Sequence, residues 1–395
     1  MEFFLHLMVV LLIAYLAGRF FERINLTKIL GYILVGMMLG PIFLNWFTAA
    51  MYLSLDSLII FALAFIAFLI GLKLQIQELK KMGRQIFEVT FFQAFSAFFS
   101  VSIFSFIFMN LFNLVNALPT SIILGAIAMA TAPATVFAVV DEFKAKGPFT
   151  TLLLAIVAID DGVAIVVYTL VLVFVSFIIQ GANAFSASSL IIPLKELILP
   201  ILMGLIIGWG FILMTKKIKD QNICGVSLIF LLVLLLILSE YFQISPMISA
   251  MLLGFLAVNF NGLKEKTIEQ IGRTEDLIFI FFFVTAGASL KLGILYNVGL
   301  LALVYVLARW AGKVLGGAWG AKISGAEEKV RRWLGWGLLP QAGVAIAFVH
   351  MTARMLPQIS EMVMAIVLAS IVLDEIIGPL GVELALFRAG EARRV

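Results

Sequence analysis

Long apolar stretches alternate with short polar breaks along the whole chain. Thirteen can be marked, near residues 3–20, 29–45, 54–72, 86–112, 119–140, 150–178, 197–215, 223–241, 245–259, 276–290, 297–320, 333–351 and 361–385. A helix needs about 20 apolar residues to cross the hydrocarbon core of a bilayer, and most of these runs approach or exceed that length. The second and ninth are short and read as partly re-entrant. The pattern predicts an all-α polytopic membrane protein with thirteen spans.

Composition strengthens this reading. Of 395 residues, 63% are apolar and 13% charged, more apolar surface than a soluble globular protein needs. The formal charge of +4 matters less than where the charges lie. Loops after the odd-numbered stretches hold 22 of the 27 basic residues, and loops after the even-numbered ones hold Lys195, Lys291 and Arg354. That alternation fits thirteen spans with the N-terminus outside and the C-terminus in the cytoplasm, by the positive-inside rule. One cysteine, Cys224, excludes an intramolecular disulfide and a cysteine-based metal site. Two histidines, His6 and His350, make no histidine cluster. The first stretch lacks the basic start and small-residue cleavage site of a secretory signal, so it is expected to be a retained span. No soluble regulatory domain is expected after the last one. The 36 Phe and 16 Met read as lipid-facing or packing residues, and the frequent Gly and Ala suit close helix contacts.

Against this background a few polar residues stand out. Asp160 and Asp161 are adjacent inside the sixth stretch. A carboxylate pair at that depth is costly to insert and points to a proton or cation pathway. The fifth stretch contains TAPAT at 131–135, where Pro133 removes a backbone donor and interrupts the helix. Freed carbonyls and the hydroxyls of Thr131 and Thr135 could then meet a cation or water, though a simple kink is the competing reading. The twelfth stretch repeats the design with Gly337, Pro340, Gln341 and Gly343. The spans after the two breaks each carry an acidic pair, Asp160–Asp161 and Asp374–Glu375. Broken spans at matching places in two oppositely oriented halves indicate a secondary transporter with a midplane site. The second pair is also compatible with a relic of the repeat, or with satisfaction by donors near a helix end.

Arg309 and Lys313 lie four residues apart in the eleventh stretch and so share one helix face. Two buried cations need compensation, and the nearest expected source is Asp160–Asp161. Lysine can give up its proton when buried and arginine effectively cannot, so Lys313 is the expected partner of Asp160 and Arg309 the more structural of the two. Adjacent side chains on a helix point about 100° apart, so the two aspartates cannot share one role. One can bind a cation at the crossing while the other faces the basic residue.

The TAPAT break, the Asp-Asp pair one span later, FLIGLKLQIQELKKMGRQ at 68–85, FFFVTAGASLKLG at 281–293 and RWAGKVLGGAWGAKISG at 309–325 together resemble the bacterial sodium/proton antiporters of the cation:proton antiporter superfamily, monovalent cation:proton antiporter-2 type. The resemblance spans the whole chain. It implies inverted repeats with two crossed broken helices, and one exchanger domain made of a core plus a dimerisation bundle. Core helices would lie near 86–178 and 297–385, scaffold helices near 3–72 and 197–259. It implies that Asp161 binds the cation and the proton, that Asp160 is bridged to Lys313, and that Thr131 belongs to the unwound crossing. It implies electrogenic exchange of Na⁺ or Li⁺ for H⁺ across the cytoplasmic membrane by alternating access, with K⁺/H⁺ exchange on the same fold as the alternative. No cofactor is expected beyond the transported ions, and the expected partners are monovalent cations, protons, the lipid bilayer and a second copy of the chain, with no nucleic acid.

Two departures from the family pattern stand out. Gln341-Ala342-Gly343 replaces an acidic motif common after the proline of the twelfth span, and Arg309 beside Lys313 blurs a distinction drawn between electroneutral and electrogenic members. An intramembrane aspartyl protease would need its two aspartates on different helices, and a channel would not move protons stoichiometrically.

Overall fold

The computed structural model describes residues 2–24, 26–40, 44, 49–180, 187–215, 221–260, 275–289 and 293–392. Lys216, Lys217, Lys219, Lys264, Lys266, Arg273, Lys291, Arg393 and Arg394, all counted in the charge alternation, lie outside them. Every regular element among the described residues is helical. The helices are α1 (Glu2–Arg23), α2 (Lys28–Leu39), α3 (Ala49–Lys73), α4 (Ile76–Leu111), α5 (Ala117–Ala128), α6 (Pro133–Glu142), α7 (Pro148–Gln180) and α8 (Ala187–Thr215). They continue with α9 (Gln221–Phe242), α10 (Met247–Phe260), α11 (Glu275–Ser289), α12 (Gly293–Ile323) and α13 (Glu328–Trp333), then a 3-10 turn (Leu334–Leu338), α14 (Gly343–Met355) and α15 (Pro357–Ala389).

Each of the thirteen apolar stretches coincides with one helix or one broken helix. Among the described residues, seven spans qualify to cross a membrane by length and composition, and an eighth is the bent pair around 339–342, with a 50° bend. Four further helices are apolar but shorter, α2 and α10 among them. Several helices run past their apolar stretch. α4 begins at Ile76, so Lys80, Lys81 and Arg84 ride on its first turns and not in a loop. A helix extends into water wherever nothing in the sequence stops it, so hydropathy marks the membrane segment and not the helix end.

The chain divides into two compact units, one of Met1–Ile24, Gly31–Lys81 and Leu194–Ser289, the other of Asn25–Leu30, Met82–Pro193 and Leu290–Val395. In the first, glycines bring helices to backbone contact. A side chain at Gly71 of α3 would collide with the backbone of Met251 and Phe255 on α10, and one at Gly254 of α10 with Phe68 and Leu72 on α3. Gly36 of α2 and Gly287 of α11 do the same for that pair. Lipid tails are as apolar as leucine, so tight van der Waals packing replaces the hydrophobic drive between helices.

The second unit uses the same device more regularly. Gly312, Gly316 and Gly320 recur every four residues on α12 and press against Ala97, Gln93 and Val89 of α4. Two helix starts are capped from a distance. Glu391, just past α15, accepts hydrogen bonds from the N–H groups of Phe149 (2.9 Å) and Thr150 (2.7 Å) at the start of α7. Glu142, the last residue of α6, accepts from the Thr27 hydroxyl (2.5 Å) and the Lys28 N–H (2.6 Å) at the start of α2. A carboxylate on otherwise orphaned helix N–H groups also suits the helix dipole.

Candidate functional site

The second unit is organised around two interruptions. α5 stops at Ala128 and α6 starts at Pro133, whose fixed φ and missing N–H are harmless at a first helical position. The chain is likewise non-helical at Leu339–Ala342, and Gly343 opens α14. The two breaks meet: Ala132 N–H donates to the Pro340 carbonyl (2.9 Å), and the Gln341 amide donates to the Ile127 carbonyl (2.8 Å). Tyr305 of α12 donates to the Gln341 side-chain oxygen (3.2 Å).

A break leaves carbonyls without helical partners, and buried carbonyls need donors. Arg309 supplies them. Its guanidinium donates to the carbonyls of Ala128 (3.1 Å), Ala130 (2.8 Å), Leu339 (2.5 Å) and Pro340 (3.2 Å), two from each break. Its ionic partner is Asp374 at 3.5 Å, which also accepts from the Trp310 indole (2.6 Å). The expectation that Asp160–Asp161 would compensate both cations therefore needs correcting for Arg309. The planar fork with five donors suits a cluster of carbonyls, which a lysine cannot span.

Lys313, one turn on, faces the other acidic pair. Its ammonium lies 3.1 Å from Asp160 and donates to Gln93 (2.6 Å), to the Thr131 hydroxyl (2.9 Å) and to the Met129 carbonyl. Thr131 in turn donates to Asp160 (2.6 Å), and the Gln93 amide donates to the other Asp160 oxygen (2.5 Å). Asp160 is thus satisfied on both oxygens. Asp161 is 7% exposed, and its buried Oδ1 has no hydrogen-bond partner.

The hydroxyl of Thr135, one of the two offered by the break to a cation or water, donates to Glu375 at 3.4 Å. Asp374 and Glu375 lie in the middle of α15 and not near a helix end, and both are buried. Gln93 was not singled out by sequence reading. Its signal was available: one amide in the Phe-rich run of α4, fully buried, where an unpaired amide would be costly. Tyr305 and Trp310 carry no such signal, because aromatic residues are frequent throughout the chain.

Two interrupted spans that cross on each other, with a satisfied and an unsatisfied carboxylate beside them, define a secondary transporter of the broken-helix class. The chain belongs to the sodium/hydrogen exchanger family of transmembrane proteins, which it matches over residues 8–388. It is a multi-pass membrane protein that exchanges sodium ions for protons. It is 26% identical over 364 residues to the Na(+)/H(+) antiporter NhaS4 of Synechocystis sp. (strain ATCC 27184 / PCC 6803 / Kazusa), with 84% of each chain covered. Its fold is similar to that of the sodium proton antiporter MjNhaP1 from Methanocaldococcus jannaschii. The structure at pH 8 gives a TM-score of 0.67 at 20% identity over 98% of this chain and 96% of that one. An electron-microscopy structure of the same antiporter gives 0.73 at 19% identity over 96% and 92%.

Proposed function

We propose that Asp161 is the exchanging carboxylate, taking Na⁺ or Li⁺ in one half of the cycle and a proton in the other. The observation that supports this is the contrast within the pair. Asp160 already receives Lys313, Thr131 and Gln93, whereas Asp161 keeps a buried oxygen with no partner. A buried carboxylate needs a positive partner or a proton. One that can be served by either, never by both, couples the two fluxes if it opens to one side at a time. Asp160 completes the cation site and holds the crossing through Thr131 and Lys313.

In this reading the second unit is the core that carries the site between the two faces. The first is the scaffold, with the first span supplying much of a homodimer interface. The chain would sit in the cytoplasmic membrane with its N-terminus outside, as the alternation of basic residues supports. The adjacent aspartates and the lysine partner support the monovalent cation:proton antiporter-2 type.

The experiment is antiport in everted vesicles from cells lacking their own sodium exporters, with a pH-sensitive dye reporting proton movement. Na⁺ and Li⁺ should both give a response in the wild type and none in Asp161→Asn. A response to K⁺ alone would move the protein to potassium exchange. An undiminished response in the variant would remove Asp161 from the role given to it.

A further inference from the structure

Six ionisable side chains are buried around the crossing: Asp160, Asp161, Arg309, Lys313, Asp374 and Glu375. Four are acids and two are bases. Fully ionised, they would leave two negative charges uncompensated and away from water, which a low-dielectric interior strongly disfavours. Pairing accounts for Asp160 with Lys313 at 3.1 Å and for Asp374 with Arg309 at 3.5 Å. Asp161 is neutralised by its cation or its proton in the reading above, on which this step rests. Glu375 is left over.

Its surroundings offer no substitute. Glu375 is 3% exposed, and its one hydrogen-bonding contact is the Thr135 hydroxyl at 3.4 Å. Its second oxygen is buried with no partner. Among the described residues no basic side chain makes an ion pair with it. The buried charged groups on its own helix and on those packed against it include Asp374 on α15 itself, Arg309 and Lys313 on α12, and Asp160 and Asp161 on α7, while Glu328, Lys329 and Arg332 of α13 are exposed and Arg331 is half-buried. The charges of α6 and α14 lie at the helix ends.

We propose that Glu375 holds a resident proton, distinct from the one exchanged at Asp161, and as a neutral acid positions α6 against α15 through Thr135. The count is the same in both loaded states. With a cation on Asp161, or with a proton there, the core is neutral only if Glu375 is protonated. A protonated carboxyl can also donate to a hydroxyl, which a carboxylate cannot. Thr131 and Thr135 are four residues apart and flank Pro133, so the segment entering α6 is tied to an acid of each repeat, Asp160 through the first and Glu375 through the second.

The test is infrared spectroscopy of the purified protein with transport assayed in parallel. A carboxylic-acid carbonyl band should persist from mildly acid to mildly alkaline solution, with and without saturating Na⁺, and be absent from Glu375→Gln. That variant, neutral and still a donor, should transport at the wild-type rate with the wild-type pH profile, while Glu375→Ala should lose most transport. Thr135→Val should shift the band, which keeps the assignment open to test if Glu375→Gln does not fold. No persistent band, a band that Thr135→Val leaves unmoved, or an altered pH profile or H⁺:Na⁺ ratio in Glu375→Gln would overturn the proposal. Asp161→Asn separates the two readings: it should abolish transport and leave the Glu375 band in place.

Discussion

The acidic pair of α7 and the acidic pair of α15 are built alike up to the last contact. In each, the first acid meets a base from α12, Asp160 with Lys313 and Asp374 with Arg309, and the second acid retains a buried oxygen without a partner, as Asp374 also does and Asp160 does not. The bases differ in what they can do. Lys313 is a single ammonium shared among Asp160, Gln93 and Thr131, and it can in principle lose its proton. Arg309 places its fork on four backbone carbonyls. The first pair therefore faces a base shared among side chains, and the second a base that ties the carbonyls of both breaks together. The difference teaches that two similar acidic pairs acquire different surroundings through the bases that meet them.

That comparison can be broken most directly at Asp161. Asp161→Asn should abolish cation-dependent proton movement while leaving the protein folded, as judged by its thermal unfolding in detergent. If both transport and stability survive, the two pairs are not functionally distinct. Next in size is the exchange of the two bases. Arg309→Gln removes a charge partner and leaves crossing carbonyls without their donor, and it should cost about 3–5 kcal/mol of stability, read as a large drop in Tm. Lys313→Gln should instead fall mainly on transport and its pH dependence. Equal losses of stability in both variants would erase the proposed division.

A smaller effect is expected at Gln93, which donates to Asp160 and accepts from Lys313. Gln93→Ala strands one group on each and should cost about 1–3 kcal/mol, with transport reduced and not lost. The smallest is at Glu391, outside both pairs, which caps the helix carrying Asp160 and Asp161. Glu391→Gln loses the charge and one of the two acceptor oxygens, so it should lower stability by about 1 kcal/mol, more at low salt than at high salt. A Tm that shifts equally at all ionic strengths would show the contact to be a hydrogen bond without an electrostatic component.

Much of this arrangement was legible in the residues. Pro133 and Pro340 announced the two breaks because proline has no N–H to give, and Asp160–Asp161 announced a site because ionised groups are rare in apolar runs. The spacing of Arg309 and Lys313 placed both on one face of α12, where both are indeed buried. Less legible was the partner each would choose. The first acidic pair is the nearest expected compensation for both bases, yet Arg309, read as the more structural of the two, meets the second, because its neighbours are set by where the breaks cross. Gln93 passed unnoticed for a related reason: its two partners are 67 and 220 residues away.

By itself the chain determined its spans, its interruptions and the inventory of buried charge, since these follow from hydropathy, from proline's missing donor and from the cost of desolvating an ion. Tertiary structure alone decided which carboxylate is saturated and which is left open. That choice turns on side chains from α4, α12 and the crossing converging within hydrogen-bond distance, and it is set by how glycine-lined helices pack, which no local stretch of sequence specifies.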